Sequence, residues 1–581
     1  MKNVTKLCAI MLFALAALQA CKKDNKPVTP VTPGGTTTGE ETGTIIPPTD
    51  PALAATQGFF LDGWQPKTFT PPAATKAAAK PAAGSIVATV DVSQVITKVS
   101  KYLFGNNTNP YMGQYVTEPV LMNNITALSP NILRFPGGSL SDIYFWNGVT
   151  PADAPAQLLD YQGKASAAGY WFGNNTASWT FTLDNYYKVL QQTNSTGIIT
   201  VNYGYARYGT GANPVQAAAH LAADWVRYDK GRTKYWEIGN ENFGNWEAGH
   251  RINVADNKDG QTQLLSGTLY GTHFKVYADS MRKAAAEVGN TGIKIGVVLT
   301  DADERSNTST ITPNWNAGVL SQAQNTPDFY VVHNYYTPYN QNSTPEVILA
   351  TPGTVTTSMM SWVKTSAQNA GVTQKPVALD EWNIFSIGSK QMVSNIAGVH
   401  AALVLGETLK NQFSMACRWD LANGWDSGND HGLFNIGDES GADKWNARPA
   451  YYYMYFFQKY FGDRMIGSAV TGSTDVVSYG SSFTSGQAGT VLVNKGSADK
   501  VVTVKFKNFA AGTKYYYYTL NGGTDNAPFS LKVFVNGTGP AGTSGGPANF
   551  SSIAANIADI AGDITVNVPA RGAVYLIAEG K

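Results

Sequence analysis

Two short stretches carry residue types that could do chemistry together. Trp236-Glu237-Ile238-Gly239-Asn240-Glu241 and Leu379-Asp380-Glu381-Trp382-Asn383 each close an apolar run with a carboxylate beside an Asn or a Trp. Two carboxyl groups facing each other across a cleft meet the needs of glycosidic bond cleavage: one protonates the departing oxygen and the other supports the positive anomeric carbon. Either Glu alone is more often a loop ion-pair partner, so the pairing carries the argument. Strand alternation aims Glu237 at the same face as Glu241, one layer deeper. Unless Gly239 permits a bulge, Glu237 is a buried carboxylate that needs a partner, and it rivals Glu241. By the same alternation Asp380 should point away from Glu381 and act as a supporting hydrogen-bond group. Arg134 could serve a structural ion pair, and His333 could be a satisfied core histidine.

These residues need a scaffold that brings distant segments to one face. Eight β-rich runs are predicted: Tyr102–Asn106, Asn131–Phe135, Ile198–Tyr203, Lys234–Ile238, Ile293–Leu299, Phe329–His333, Pro376–Leu379 and Ser414–Trp419. Helical patterns such as Pro214–Tyr228, Tyr270–Val288, Met392–Leu409 and Arg448–Phe461 lie between or after them. Near-continuous apolar strands alternating with helices imply parallel βα units, and eight of them imply an α/β (β/α)8 TIM barrel over residues 101–465. Catalytic groups in such barrels gather where strands end, which is where both carboxylate stretches fall. A doubly wound open sheet is the alternative, but no glycine-rich phosphate loop follows any strand; no nucleotide, other cofactor or metal is expected. Residues 466–581 change to short alternating strands with Gly/Asn/Asp turns, a C-terminal β-sandwich. Residues 57–100, through GFFLDGWQ and SIVATVDV, are expected to add strands to it.

The front of the chain reads as an address. Lys2 and Lys6 precede an apolar run, Leu7 to Leu18, too short to span a bilayer and fitting the core of a signal peptide over residues 1–20. Residues 21–56 form a Pro/Thr/Gly-rich tether. Cys8 and Cys21 belong to this front segment, so Cys417 stands alone as a buried inert thiol, without a disulfide framework. The 581-residue chain has a formal charge of +1, only 14% charged residues and 12% aromatic residues. Such a balance gives no footprint for nucleic acid or an anionic membrane, and suits a neutral, hydroxyl-rich partner.

Several of these stretches resemble known families. Leu18-Gln19-Ala20-Cys21 resembles the lipobox of bacterial lipoproteins, which implies lipid attachment at Cys21 and a cell-envelope location. Arg134-Phe135-Pro136-Gly137-Gly138, Gly239-Asn240-Glu241 and Asp380-Glu381-Trp382-Asn383 resemble the blocks of clan A retaining glycoside hydrolases. The nearest likeness is to family 51, the α-L-arabinofuranosidases, and it extends over roughly residues 86–581. It implies Glu241 as general acid/base and Glu381 as nucleophile. Asn240 would bond the sugar hydroxyl beside the anomeric carbon, Arg134 would hold Glu381 ionised, and Tyr335 would hydrogen-bond it. His333 would lie near the acid/base, Trp382 and Trp419 would wall the sugar, and Asn202 and Trp146 would support the site. The chain departs from the family in lacking a Glu after strand one (Phe104-Gly105-Asn106-Asn107-Thr108-Asn109) and in having Ser139 after Pro-Gly-Gly. An endo-acting glycanase therefore remains an alternative, as does a non-catalytic glycan-binding lipoprotein. Trp171 and Trp179 read equally as sugar platforms or as packing. The loop 423–435, with Trp425, Asp426, Asp430 and His431, matches no metal template and is expected to be a solvated cleft loop.

Overall fold

The computed structural model describes residues 44–304, 309–523 and 527–581. The signal segment, Cys8, Cys21 and most of the tether lie outside the described residues. Among the described residues no helix is long and apolar enough to cross a membrane.

Eight parallel strands close into a barrel: Gly105–Asn107, Ile132–Phe135, Thr196–Val201, Tyr235–Ile238, Lys294–Val298, Phe329–Asn334, Val377–Trp382 and Met415–Arg418, called strands one to eight below. They pair in chain order around the ring, strand eight returning to strand one through Cys417 and Arg418 against Gly105 and Asn106. A helix follows each strand before the next begins, from Pro119–Ala127 to Pro449–Tyr460 after strand eight. Several open with Pro at the first turn (Pro119, Pro214, Pro345, Pro449), where the missing N–H costs nothing; Thr182 and Ser266 cap others by accepting from Asn185 and Leu269.

Strand three lies two residues earlier than the sequence pattern, at Thr196–Val201, and two other strand bounds differ by three residues. Strand one begins at Gly105 because Lys101–Phe104 coils into a 3-10 turn capped by Ser100. Strand seven runs on to Trp382, which places Glu381 inside the barrel wall.

The segment GFFLDGWQ contributes no strand. Gly58–Leu61 is a 3-10 turn that plugs the foot of the barrel, where Phe60 stacks on Tyr235 at 4.7 Å and meets Phe329 edge-on at 5.5 Å. The strand starts leave an apolar opening there, and burying two aromatic rings in it outweighs pairing along a sheet edge. The plug is pinned by Val377 N–H donating to the Thr56 carbonyl at 2.9 Å, so the chain is already packed at Thr56 and Gln57. Cys417 is buried in the same cluster, and burial pushes its thiol well above the ordinary range.

The rest of the chain builds one continuous eleven-stranded sheet that folds over its own core. Ile86–Lys98 lies within it, antiparallel to Arg464–Thr471 and parallel to Lys500–Lys507. One end of the hydrogen-bonded path, through Val502, Val504 and Val566, folds over its middle, through Leu492, Val574 and Leu576, which gives the sandwich. The larger core runs from the barrel helices into this sheet, where Tyr453 and Phe457 of the last helix pack with Tyr575.

Candidate active site

The C-terminal ends of strands two, four, six and seven bring their ionisable groups to one point. Arg134 is fully buried and spends its guanidinium on five bonds. Nε and Nη2 hold Glu237 at 2.8 and 3.2 Å, Nη1 reaches Glu381 and Asn107 at 3.0 Å each, and Nη2 reaches Asn240 at 2.8 Å. Glu237 also accepts from Thr200 at 2.7 Å. It is the floor of the site rather than a rival to Glu241, because a carboxylate with no exposure and an arginine clamp has no access to a reacting atom.

Glu241 escapes strand alternation. The strand stops at Ile238, Gly239 takes φ +75°, where a Cβ would run into Asn242 and Tyr203, and Glu241 itself sits at φ +41°. This left-handed turn is costly for a Glu and lifts its carboxyl to the mouth. There Oε1 meets His333 Nδ1 at 2.9 Å and Oε2 accepts from Trp246 Nε1 at 3.0 Å.

Strand seven contains an extra residue. Against strand six, Val332 pairs with Leu379 but His333 pairs with Glu381, so Asp380 is the bulged position. Asp380 consequently does not point away from Glu381, as alternation predicts. Both face inward, with Asp380 at 3.2 Å from His333 Nε2 and 3.7 Å from Arg134 Nε. Tyr335 donates to Glu381 Oε1 at 2.6 Å. One carboxylate oxygen each of Glu241 and Glu381 and a ring nitrogen of His333 lie within 4.8 Å of one another.

Burial raises the Glu381 carboxyl above its usual range; His333 and Arg134 oppose this and the Glu241 charge adds to it. Arg134 therefore does not hold Glu381 ionised by itself, since its charge is shared with Glu237 and Asp380. Burial acts on Glu241 in the same upward sense, but the His333 and Trp246 bonds outweigh it and hold that carboxyl below the usual range. His333 is the converse case: burial disfavours its charge, yet the surrounding Glu381, Asp380 and Glu241 raise it well above the ordinary histidine value. The charged form of His333 is thus favoured beside Glu241, whose carboxyl accepts its hydrogen bond. Glu237, His333 and Asp380, or Glu241, His333 and Glu381, have the donor types for a cation. The Arg134 guanidinium and the His333 imidazolium already supply positive charge among these carboxylates.

Asn240 is clamped, its Oδ1 accepting from Arg134 and its Nδ2 donating to Glu247 Oε1 at 2.9 Å, which leaves one amide hydrogen for a ligand. Trp419 lies over Gly137 and Gly138, whose missing side chains make room for its ring; a Cβ on Gly138 would sit 2.4 Å from it.

Three expected site residues stand elsewhere. Trp382 is buried on the outer face of strand seven toward His400, because it follows Glu381 by one residue and alternation turns it to the helices. Asn202 is spent on the loop after strand three, accepting from Tyr205 N–H and donating to Tyr208 and the Tyr144 carbonyl. Trp146 packs between Trp225 and Tyr228 and donates to the Leu221 carbonyl, on the outside of the barrel. The strand-eight loop is not solvated at its centre either: Asp430 is buried and bound by Arg448 at 2.6 Å. His431, lowered to about 3 by burial and Arg418, packs neutral and edge-on to Tyr335.

Sequence reasoning missed Glu247, Asp142 and Asp420. Glu247 accepts from Ser139 at 2.8 Å and from Asn240, and burial pushes it well above the usual range. Asp142 collects the N–H groups of Tyr203 and Gly204 and the Asn242 amide, and burial raises it to about 7. Asp420 accepts from Tyr111 at 2.8 Å and Asn109 at 3.1 Å.

The family model for the α-L-arabinofuranosidase 1 domain matches residues 124–344. This segment contains Arg134, Asn240, Glu241, His333 and Tyr335 but ends before Glu381. An intracellular exo-α-(1→5)-L-arabinofuranosidase of Acetivibrio thermocellus is 22% identical over 328 residues, 51% of this chain and 58% of that protein. The match therefore spans little more than half the length of that relative. Among solved structures, the α-L-arabinofuranosidase of Thermotoga maritima has a TM-score of 0.58 at 17% identity, over 85% of this chain and 99% of that one. A family 51 α-L-arabinofuranosidase of Bifidobacterium longum has a TM-score of 0.59 at 14% identity, over 86% and 100%. A family 44 endoglucanase of Clostridium thermocellum has a TM-score of 0.52 at 12% identity, over 85% and 99%. The chain is similar to the clan A glycoside hydrolases of family 51, whose barrel-and-sandwich fold it shares.

Proposed function

We propose that this protein is a retaining glycoside hydrolase that cleaves α-L-arabinofuranosyl linkages in a neutral plant- or algal-type oligo- or polysaccharide. The observation that carries the reading is the close approach of Glu241 and Glu381, with carboxylate oxygens within 4.8 Å. Inverting enzymes need roughly 6.5–9.5 Å to admit a water between the groups; retaining ones need about 5–5.5 Å.

Glu381 attacks the anomeric carbon, held in place by the Tyr335 hydroxyl and Arg134 Nη1. As the bond to the leaving group breaks, Glu241 delivers a proton to the departing oxygen and draws it from His333 across their 2.9 Å bond. Glu241 is the more exposed of the two, 17% against 6% of the side chain, which suits the group that must meet leaving group and water. In the second half Glu241 takes a proton from water, the water oxygen attacks the glycosyl ester, and Glu381 leaves as carboxylate. The remaining Asn240 amide hydrogen would bond the hydroxyl beside the anomeric carbon.

The test is turnover of an aryl α-L-arabinofuranoside by the native protein, Glu381→Gln and Glu241→Ala. Glu381→Gln should abolish turnover, azide should rescue Glu241→Ala on an activated leaving group, and the first product should retain its anomeric configuration. Inverted product, or full activity in Glu381→Gln, defeats the reading. Silence on every glycan together with glycan binding would favour a binding lipoprotein.

A further inference from the structure

Two runs of aromatic rings lead to solvent, one from Tyr335 beside Glu381 and one from Tyr111 beside Asp420 at the end of strand eight. In the first, Tyr335, which bonds Glu381, stacks on Phe385 at 4.1 Å and 16°, and Tyr339 meets Phe385 edge-on at 4.9 Å. Tyr339 is 70% exposed. In the second, Tyr111, which bonds Asp420 at the end of strand eight, meets Trp171 edge-on at 6.4 Å. Trp171 in turn meets Trp179 at 5.7 Å and 79°. Trp179 is 56% exposed.

Their placement follows from the barrel. Tyr339 belongs to the loop after strand six and Trp179 to the insertion after strand two. In the closed ring these strands are four places apart in either direction, so the two outer rings belong to loops that rise from opposite sides of the ring. Strand four, carrying Glu241, stands midway on one arc, and there Trp246 is 46% exposed and bonded to Glu241.

Single exposed aromatic residues need no explanation. Here successive ring contacts join Tyr339 to Tyr335 on Glu381 and Trp179 to Tyr111 on Asp420, so each outer ring is anchored to a buried group at a strand end. Fixed rings offer sugar faces apolar area at little entropic cost, and a neutral surface suits a neutral chain. A pocket built for the free end of a chain needs such contacts on one side of the reacting unit only.

We propose that the substrate is a neutral polysaccharide engaged at an interior position, its chain lying across the mouth with sugar rings on Trp179 at one side and Tyr339 at the other. This deepens the glycosidase reading and rests on it.

The test compares kcat/KM on linear arabinan and on arabinoxylan with kcat/KM on an aryl α-L-arabinofuranoside, for the native protein, Trp179→Ala, Tyr339→Ala and the double variant. The ratio of polymer to aryl glycoside is independent of the fraction folded, because the same molecules turn over both. On at least one polymer each single variant should lower this ratio roughly five- to tenfold, and the double variant by about the product, as for two distant contacts on one ligand. An unchanged ratio in both single variants overturns the proposal, as does a native protein that cleaves neither polymer. A loss confined to one ring also overturns it, since that means a chain held on one side only. Full activity of Glu381→Gln in parallel would instead defeat the glycosidase reading, and this proposal with it.

Discussion

Replacing His333 by asparagine removes a charge while leaving a side-chain donor near the position of Nδ1. His333 stands 2.9 Å from Glu241, 3.2 Å from Asp380 and 3.8 Å from Glu381. At 3.8 Å and an effective dielectric of about 20, the attraction to Glu381 is about 4 kcal/mol, or about three pKa units. Water entering behind the smaller side chain reduces this, so a shift of about one unit or more is the expectation. The sign follows from which state each step needs. Glu381 must be ionised to attack; without the imidazolium its carboxyl, already raised by burial, rises further, and the acid limb of kcat/KM moves to higher pH. The proton for the leaving group now rests on Glu241 alone instead of on a histidine raised well above its ordinary value, so the alkaline limb moves to lower pH. The bell narrows from both sides. The loss at its maximum should also grow with the leaving-group pKa, toward the roughly 10²–10⁴ that general acid catalysis supplies. The assay is kcat/KM from about pH 4 to 9 on aryl arabinofuranosides of graded leaving-group pKa. An acid limb that stays in place, in a variant that melts like the native protein, refutes the electrostatic argument.

Lys67→Met should change the pH dependence of stability. Burial lowers the Lys67 ammonium to about 7, and its Nζ donates to the Gln458 and Phe461 carbonyls. The unfolded chain binds this proton up to the ordinary lysine value of 10.5 and the folded one does not, so native stability should rise between pH 7 and 10.5 relative to the variant. Equal slopes of melting temperature against pH would contradict the assignment. Trp146→Ala should cost about 2–3 kcal/mol of stability, less than a fully buried tryptophan, because it removes the packing against Trp225 and Tyr228. Its kcat/KM on an aryl arabinofuranoside should match the native value, measured beside a chemical melt; a selective rise in KM would return Trp146 to the sugar site.

The alternation of apolar strands with helices made the barrel legible, because burial on both faces leaves continuous runs of Val, Ile and Leu, and eight such units without a phosphate loop favour a closed ring over an open sheet. The site was legible in part for the same reason: strand ends are fixed by the pattern, and Arg134, Glu241, His333 and Glu381 all stand at or just beyond such ends. Side-chain direction was less accessible. One bulged residue at Asp380 reverses the facing of everything after it, and Gly239 with a left-handed Glu241 cancels the phase of strand four. Trp382, Asn202 and Trp146 were misplaced because aromatic and amide residues near a site look alike in sequence whether they face sugar, core or backbone. The foot plug was missed because Phe59 and Phe60 read as strand formers until the opening they fill is known.

By itself, then, the sequence determined that this is an eight-unit α/β barrel with a strand-rich partner and two carboxylates on strands four and seven, since periodicity and residue type are local properties. Tertiary structure alone decided that Arg134 is divided among three carboxylates, that those carboxylates favour the charge on His333, and that exposed aromatic rings stand on loops from opposite sides of the ring. Those are consequences of distances between segments up to hundreds of residues apart, and Coulomb energy and ring contact depend on distance in space rather than along the chain.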